Sequence, residues 1–201
     1  MVGGAESGGA GGGIPEECGD PRGNGVIVFE DVVEHTTWDC PVYTLTLPVY
    51  VRSDTAERTL LTIKPGVTVR GVKGIDQVKL PGALIVTRSG KLDAVGTEEK
   101  PILFTTSATG IAAVPGSWGG VMLLGRAGTN SAQDPDAPVK PTDVDGPGMP
   151  GEIYAEALPK TALGLYGWPR DFDGSGGAGG AGSGSYADPY ASWDCGKLKY
   201  V

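Results

Sequence analysis

The chain has 201 residues, which is enough for one all-β domain with a single core. Its 16 lysines and arginines against 24 aspartates and glutamates give a net charge of −8, which argues against a general affinity for nucleic acid or anionic membranes. No apolar run is long enough to cross a bilayer.

The first 25 residues are rich in glycine and predict a flexible tether, because such residues offer little to bury. Strand patterns then run through VIVFEDVV, VYTLTL and PVYVRS (residues 26–53), where proline is typical of edge or cap strands. We therefore predict an N-terminal strand cap. Cys18 and Cys40 flank the first strands, so we predict a disulfide between them that leaves Cys195 for a partner beyond Val201; three free thiols are the alternative.

Two similar segments follow, LTIKPGVTVRG at residues 61–71 and ALIVTRSGKLDAVG at residues 83–96. Leu61 is echoed by Leu84 after 23 positions, and Val67 by Leu92 after 25. A period of 20–25 residues is typical of a solenoid whose coils stack at the β spacing of about 4.8 Å, with Pro65-Gly66 as a corner. The predicted inward residues are Leu61, Ile63, Val67, Val69, Leu84, Val86, Leu92, Ile102 and Phe104.

We expect β-helix coils with their cap over residues 26–127, a glycine-, proline- and aspartate-rich insertion at 128–192, and the start of a further coil at 193–201. The insertion carries nine acidic and three basic residues, whereas residues 61–97 carry six basic and two acidic ones. Because opposite charges on one chain attract, we predict that the insertion folds back near the basic residues of the coils. Those basic residues are Lys64, Arg70, Arg88 and Lys91.

Five segments, in this order, carry a resemblance to a known family: EHTTWDC (34–40), LTIKPGVTVRG, ALIVTRSGKLDAVGTEEKPILFT (83–105), WGGVMLLGRA (118–127) and CGKLKYV (195–201). The chain resembles bacterial secreted or lipid-anchored surface proteins with a pectin-lyase-like solenoid. The resemblance implies an all-β fold, a right-handed single-stranded parallel β-helix. It also implies an extracellular or outer-surface location, with the signal peptide absent from this chain. No catalytic residues come with it, and we expect a truncated member because the family continues into another coil.

Lys64, Arg70 and Lys91 are predicted to point outward, where β-helix lyases and hydrolases place active-site side chains. Polar outward residues are also typical of any solenoid, and no compact carboxylate pair for glycosidic hydrolysis accompanies them. With Trp168, they are the candidate ligand-binding residues. His35, the single histidine, has no partner at a diagnostic spacing and is predicted to be structural or solvated.

Two acidic turns, DVDGPG (143–148) and DFDGSG (171–176), place two carboxylates two residues apart before glycine. This arrangement gathers oxygen ligands for Ca²⁺, although both turns lack the bidentate glutamate of an EF-hand loop. Ordinary solvated turns are therefore the alternative. The candidate calcium ligands are Asp143, Asp145, Asp171 and Asp173.

Together these patterns favour a noncatalytic extracellular or cell-surface protein that acts as a scaffold, an adhesin or a glycan-binding element. One alternative is a polysaccharide lyase whose site lies mostly in coils beyond Val201. A second is a structural repeat protein that self-associates through open coil ends, because an uncapped β-helix presents unpaired strand edges. The expected partners are polysaccharides, cell-surface components or a second copy of the chain.

Overall fold

Short strands account for most of the regular structure in this computed structural model. It describes residues 18–20, 22–74, 80–125, 152–155, 158–161, 163–167 and 194–201. Within these ranges no helix has the length and apolar character needed to cross a membrane. The strands are β1 (Val26–Val28), β2 (Thr36–Trp38), β3 (Val42–Leu45), β4 (Pro48–Val51), β5 (Thr59–Ile63), β6 (Thr68–Gly71), β7 (Ala83–Val86), β8 (Gly90–Val95), β9 (Leu103–Thr106), β10 (Gly120–Leu123), β11 (Glu152–Tyr154), β12 (Leu165–Gly167) and β13 (Gly196–Lys199).

Three parallel β-sheets form the sides of a solenoid of stacked coils. The first sheet has the order β1-β3-β6-β9, the second β4-β7-β10 and the third β2-β5-β8-β13. The chain visits the sheets in the same order each time, through β3, β4 and β5, then β6, β7 and β8, then β9, β10 and β13. This arrangement confirms the predicted parallel β-helix.

The inward face matches the predicted alternation. Eight of the nine predicted inward residues are buried, and the ninth, Phe104, is partly buried against the same cluster. Leu61 and Leu92, for example, lie directly opposite each other on β5 and β8, and both are buried. Fully burying such a side chain contributes about 1.5–3 kcal/mol, so each coil depends on the coils that cover it.

The strand register corrects the predicted repeat. Leu61 lies opposite Leu92, 31 positions later, and Leu84 lies opposite Val49 and Val121 on the second sheet. Strand pairs from β3–β6 to β7–β10 lie 26 residues (Val42 and Thr68) to 37 residues (Leu84 and Val121) apart, more than the predicted 20–25, because a coil has three strands rather than two. Inward and outward residues alternate in the same way in all three sheets. The sequence comparison therefore matched Leu61 of the third sheet with Leu84 of the second sheet.

Tight corners between the sheets depend on glycine at particular places. Gly66 has φ +85° in the corner between β5 and β6, as the Pro65-Gly66 pattern predicted. A Cβ atom at Gly82 would overlap the carbonyl oxygen of Leu45 in the coil below, so glycine is required where the chain enters β7. Gly82 thus lets two neighbouring coils approach to β-sheet distance, whereas Gly66 supplies the positive φ of its corner.

The N-terminal end of the helix is fastened by side-chain contacts. Cys18 and Cys40, the pair proposed from the sequence, form a disulfide, while Cys195 is a free thiol. Trp38 is buried and stacks on Tyr43 with ring centroids 4.6 Å apart. The described residues of the predicted tether, 18–20 and 22–25, are thus held against the first coils.

The described part of the insertion forms an antiparallel hairpin of β11 and β12. Its apolar residues pack on the outward face of the second sheet, where Ile85 is fully buried although it alternates with the inward Leu84 and Val86. This part of the insertion therefore docks through apolar side chains, and the predicted attraction between the acidic insertion and the basic residues of the coils stays a prediction. The cluster comprises Tyr50, Ala83, Ile85 and Leu124, with Met122, Ala155, Leu158, Leu163 and Tyr166 against it.

This packing predicts that Ile85, although it faces outward, contributes to stability as a core residue does. Ile85→Ala should lower the free energy of unfolding by about 2–5 kcal/mol, because a buried aliphatic side chain is deleted. Leu103→Ala is the matched control, since Leu103 is 52% exposed on the first sheet and its loss should change stability by less than about 0.5 kcal/mol. Denaturant unfolding measures both values, and equally small effects would contradict the docked hairpin.

The disulfide predicts a second effect on stability. Replacing Cys18 and Cys40 together with serine should remove about 3 kcal/mol, because the bond closes a loop with a sequence separation of 22 residues. Cys195→Ser should leave the free energy of unfolding nearly unchanged. Peptide mapping without reduction checks the pairing directly, and a bond from Cys195 to either other cysteine would contradict it.

Candidate functional site

Lys91, one of the predicted ligand-binding residues, is part of a contact that fastens the end of the insertion. Its Nζ lies 2.7 Å from Asp194 Oδ2, and the backbone N–H of Gly196 donates to Asp194 Oδ1 at 2.6 Å. Arg58 donates to the carbonyl oxygens of Asp194 at 2.7 Å and of Gly90 at 2.5 Å. We call Arg58, Lys91 and Asp194 the return anchor, because they hold the chain where it re-enters the third sheet as β13.

The charge of Asp194 is stabilised by this arrangement. The hydrogen bond from Lys91 lowers the pKa of the Asp194 carboxyl, and the N–H of Gly196 lowers it further. Burial raises the pKa of the neighbouring Cys195 thiol. The anchor therefore keeps a carboxylate and an ammonium group paired near neutral pH.

Arg70 has a structural contact of its own on the first sheet. Its Nε donates to Thr44 Oγ1 at 3.0 Å, and its guanidinium also donates to the carbonyl oxygen of Gly23. Thr44 Oγ1 in turn donates to the carbonyl oxygen of Asn24 at 2.5 Å. Arg70 thus ties residues 22–25 to the outward face of the first sheet.

The predicted basic residues do not converge on one site. Arg70 lies on the first sheet and Lys91 on the third, while Lys64 is exposed at the corner that follows β5. Trp168 and the calcium candidates Asp143, Asp145, Asp171 and Asp173 lie outside the described residues. In the described part of the chain, no group of three or more histidine, cysteine, aspartate or glutamate side chains is placed to hold a metal ion.

The sequence did not predict an ion pair beside β4, the first strand of the second sheet. Arg52 Nε lies 2.7 Å from Asp31 Oδ2, and Asp31 Oδ1 accepts the backbone N–H of Tyr50 at 3.1 Å. Burial, followed by the charge of Asp31, raises the pKa of Tyr50. Asp31 occupies a place where a further strand would pair, and within the described residues that sheet continues past β4 only through the bridge between Val32 and Val51. No sequence signal links residues so far apart.

The outward face of the third sheet carries a polar ladder, another feature that the sequence did not predict. Thr37, Thr62, Asp93 and Lys197 lie directly opposite one another on β2, β5, β8 and β13. Their side chains alternate with the inward residues and are half-buried or exposed. Successive rungs are about 4.8 Å apart, so the polar ladder is a straight row of hydrogen-bonding groups.

His35 is solvated, as one of its two predicted interpretations has it. The Nε2 of His35 lies 3.6 Å from Glu57 Oε1, and both side chains are largely exposed, which fits a solvated pair.

The comparisons with known proteins agree with this architecture. The model of the family described as pectate-lyase like beta helix domain matches residues 30–146, which is more than half of the chain. The chain therefore belongs to the pectate-lyase-like β-helix family. Comparisons with curated proteins and with solved structures found no match.

The return anchor predicts a pH-dependent opening of β13. Since the pKa of Asp194 is lowered in the folded protein, its stabilising effect is complete above the ordinary aspartate value of about 3.9 and is lost as the pH falls through the lowered value. We expect the amides of residues 196–199 to lose protection in that acidic window. Hydrogen exchange, corrected for the intrinsic rate at each pH, measures the change.

In Asp194→Asn, the amides of residues 196–199 should exchange faster than in the wild type at neutral pH. They should show no further loss of protection in the acidic window. Glu98→Gln, an exposed carboxylate in the turn after β8, is the control and should behave like the wild type. An acidic step of equal size in Asp194→Asn would show that another group is responsible.

Proposed function

We propose that the chain is a noncatalytic β-helix module, extracellular or at the cell surface, that acts as a scaffold or adhesin by binding glycans. The observation that carries the proposal is that two of the predicted ligand-binding residues, Lys91 and Arg70, make structural contacts. Lys91 is paired with Asp194, and Arg70 binds Thr44 and Gly23. A lyase needs a base that is free to take a proton from its substrate, and a paired ammonium group is not such a base.

The glycan-binding surface in this proposal is the polar ladder of the third sheet. The hairpin of β11 and β12 covers part of the second sheet, and residues 22–25 lie against the first. The polar ladder offers hydroxyl, carboxylate and ammonium groups at a regular spacing. Such a row suits hydrogen bonds to successive units of an extended polysaccharide.

An extracellular location fits the disulfide between Cys18 and Cys40, because such bonds persist in oxidising compartments. A secreted or lipid-anchored state is part of the same proposal. In this proposal, calcium binds to the two acidic turns of the insertion, at residues 143–148 and 171–176.

The alternative function is a polysaccharide lyase, and membership of the pectate-lyase-like β-helix family favours it. In that case the catalytic groups would lie mostly beyond the described coils. The fold alone does not choose between the two functions, because one fold carries many activities.

A binding and turnover experiment tests the proposal. The protein is incubated with polygalacturonate, alginate and a neutral glucan, with and without calcium, while calorimetry measures binding and ultraviolet absorbance measures unsaturated uronate. We expect binding to at least one polysaccharide and no unsaturated product. Asp93→Ala and Lys197→Ala should each weaken binding about fivefold, as expected when one hydrogen bond worth about 1 kcal/mol is lost.

The control for these variants is Thr105→Ala, which changes an exposed outward residue of the first sheet. Formation of unsaturated product would establish the lyase alternative. The absence of binding to every polysaccharide would refute the glycan-binding proposal.

A further inference from the structure

The connection from the first sheet to the second differs in length between coils. Only Thr46 and Leu47 join β3 to β4, whereas residues 107–119 join β9 to β10. Both ends of the longer connection remain in register with the coil below, where Thr106 lies opposite Gly71 and Gly120 opposite Ala83. Since two residues suffice to turn this corner, most of the longer connection lies outside the perimeter of the coil. We call residues 107–119 the corner loop.

The middle of the corner loop is exposed and uncharged. Residues 109–116 are all exposed, and Ile111 is fully so. A Cβ atom added at Gly110 or Gly116 would meet no other atom within 4 Å. Charged residues make up 20% of the chain, yet none occurs from residue 101 to residue 125. The loop therefore offers solvent a short run of small and aliphatic side chains.

Few backbone hydrogen bonds hold this part of the loop. It contains a short 3-10 turn at Gly110–Ala112. The N–H of Ala112 donates to the carbonyl oxygen of Thr109 at 3.2 Å, and that of Ala113 donates to Gly110 at 3.1 Å. All four residues are exposed, so water replaces these bonds readily and the turn opens at little cost in free energy.

The base of the corner loop is fixed to the coils. Ser117 is buried; its N–H donates to the carbonyl oxygen of Val114 at 3.0 Å, and its own carbonyl oxygen accepts Thr106 Oγ1 at 3.2 Å. The N–H of Gly119 donates to the carbonyl oxygen of Gly82 at 2.9 Å. Opening of the turn at Gly110–Ala112 therefore need not spread into β9 or β10.

We propose that Ile111–Val114 is a processing site for an endopeptidase whose binding pocket accepts small apolar side chains. Such a pocket takes alanine or valine, and the segment can open into the cleft of the enzyme. In cleavage between Ala112 and Ala113, the oxygen of one water molecule adds to the carbonyl carbon of Ala112 and the C–N bond breaks. Ala112 becomes a carboxylate, and the nitrogen of Ala113 takes up both water protons as an ammonium group.

The two parts of the cleaved chain stay together through the parallel sheets. The first part keeps β9 paired with β6, while the second keeps β10 paired with β7 and β13 with β8. The disulfide joins Cys18 to Cys40 within the first part, so the contacts between the two parts are noncovalent. Cleavage therefore converts the protein into a two-chain β-helix, whatever its outward faces bind.

Limited digestion of the folded protein with pancreatic elastase tests the proposal, with new amino termini labelled and identified by mass spectrometry. Bonds within Ile111–Val114 should be cut at least about 100-fold faster than the bonds after Ala83 in β7 and after Ala94 in β8, because the strands open far less often. Molecules cut once in the corner loop should elute as one species in native gel filtration and as two chains in guanidinium.

The double variant Ala112→Asp, Ala113→Asp should be cut in the loop at least about tenfold more slowly, because a carboxylate does not fit a small apolar pocket. Ala56→Asp is the matched control, an exposed alanine at the corner between β4 and β5, and should leave the rate unchanged. Cleavage in the loop no faster than in the strands would overturn the proposal. So would parts that separate without denaturant, or a double variant that is cut as fast as the wild type.

Discussion

A β-helix coil buries its inward side chains only when another coil lies on each side of it. The middle coils satisfy this condition, and their inward residues, such as Leu61 and Leu84, are fully buried. The first and last described coils each have a described neighbour on one side only. Beside the first described coil lie a disulfide, an aromatic stack and the carboxylate of Asp31, whereas Leu123 and Leu198 of the last described coil are exposed.

The same stacking explains how the coil tolerates a long insertion. β10 ends at Leu123 and β13 begins at Gly196, yet the strands they pair with, β7 and β8, are separated by one short corner from Thr87 to Ser89. The coil below therefore holds both ends of the insertion close together. Because closure entropy grows slowly with loop length, lengthening this connection costs little. The return anchor and the docked hairpin add contacts that favour the insertion in this place.

Local patterns predicted the features that depend on local geometry. Whether Val69 or Leu92 faces inward depends on alternation within its own strand, and both were predicted correctly. The identity of the neighbouring strand depends on the number of sides in a coil, so Leu61 was matched with Leu84 although it pairs with Leu92. The burial of Ile85 and the pairing of Lys91 escaped prediction because their partners lie far along the chain; Lys91 and Asp194 are 103 residues apart.

Some outward side chains of the three sheets make structural contacts and others do not, and this difference bears on function. A side chain that holds the fold together is costly to recruit for ligand binding, because a ligand must compete with its existing partner. Arg70 and Lys91 are committed in this way, and Ile85 is covered by the hairpin. The polar ladder is different, because Thr62 and Lys197 occupy their places through backbone pairing alone, whichever polar side chain they carry. Its side chains can therefore change while the coils beneath them stay the same, which is the property that the proposed glycan-binding surface needs.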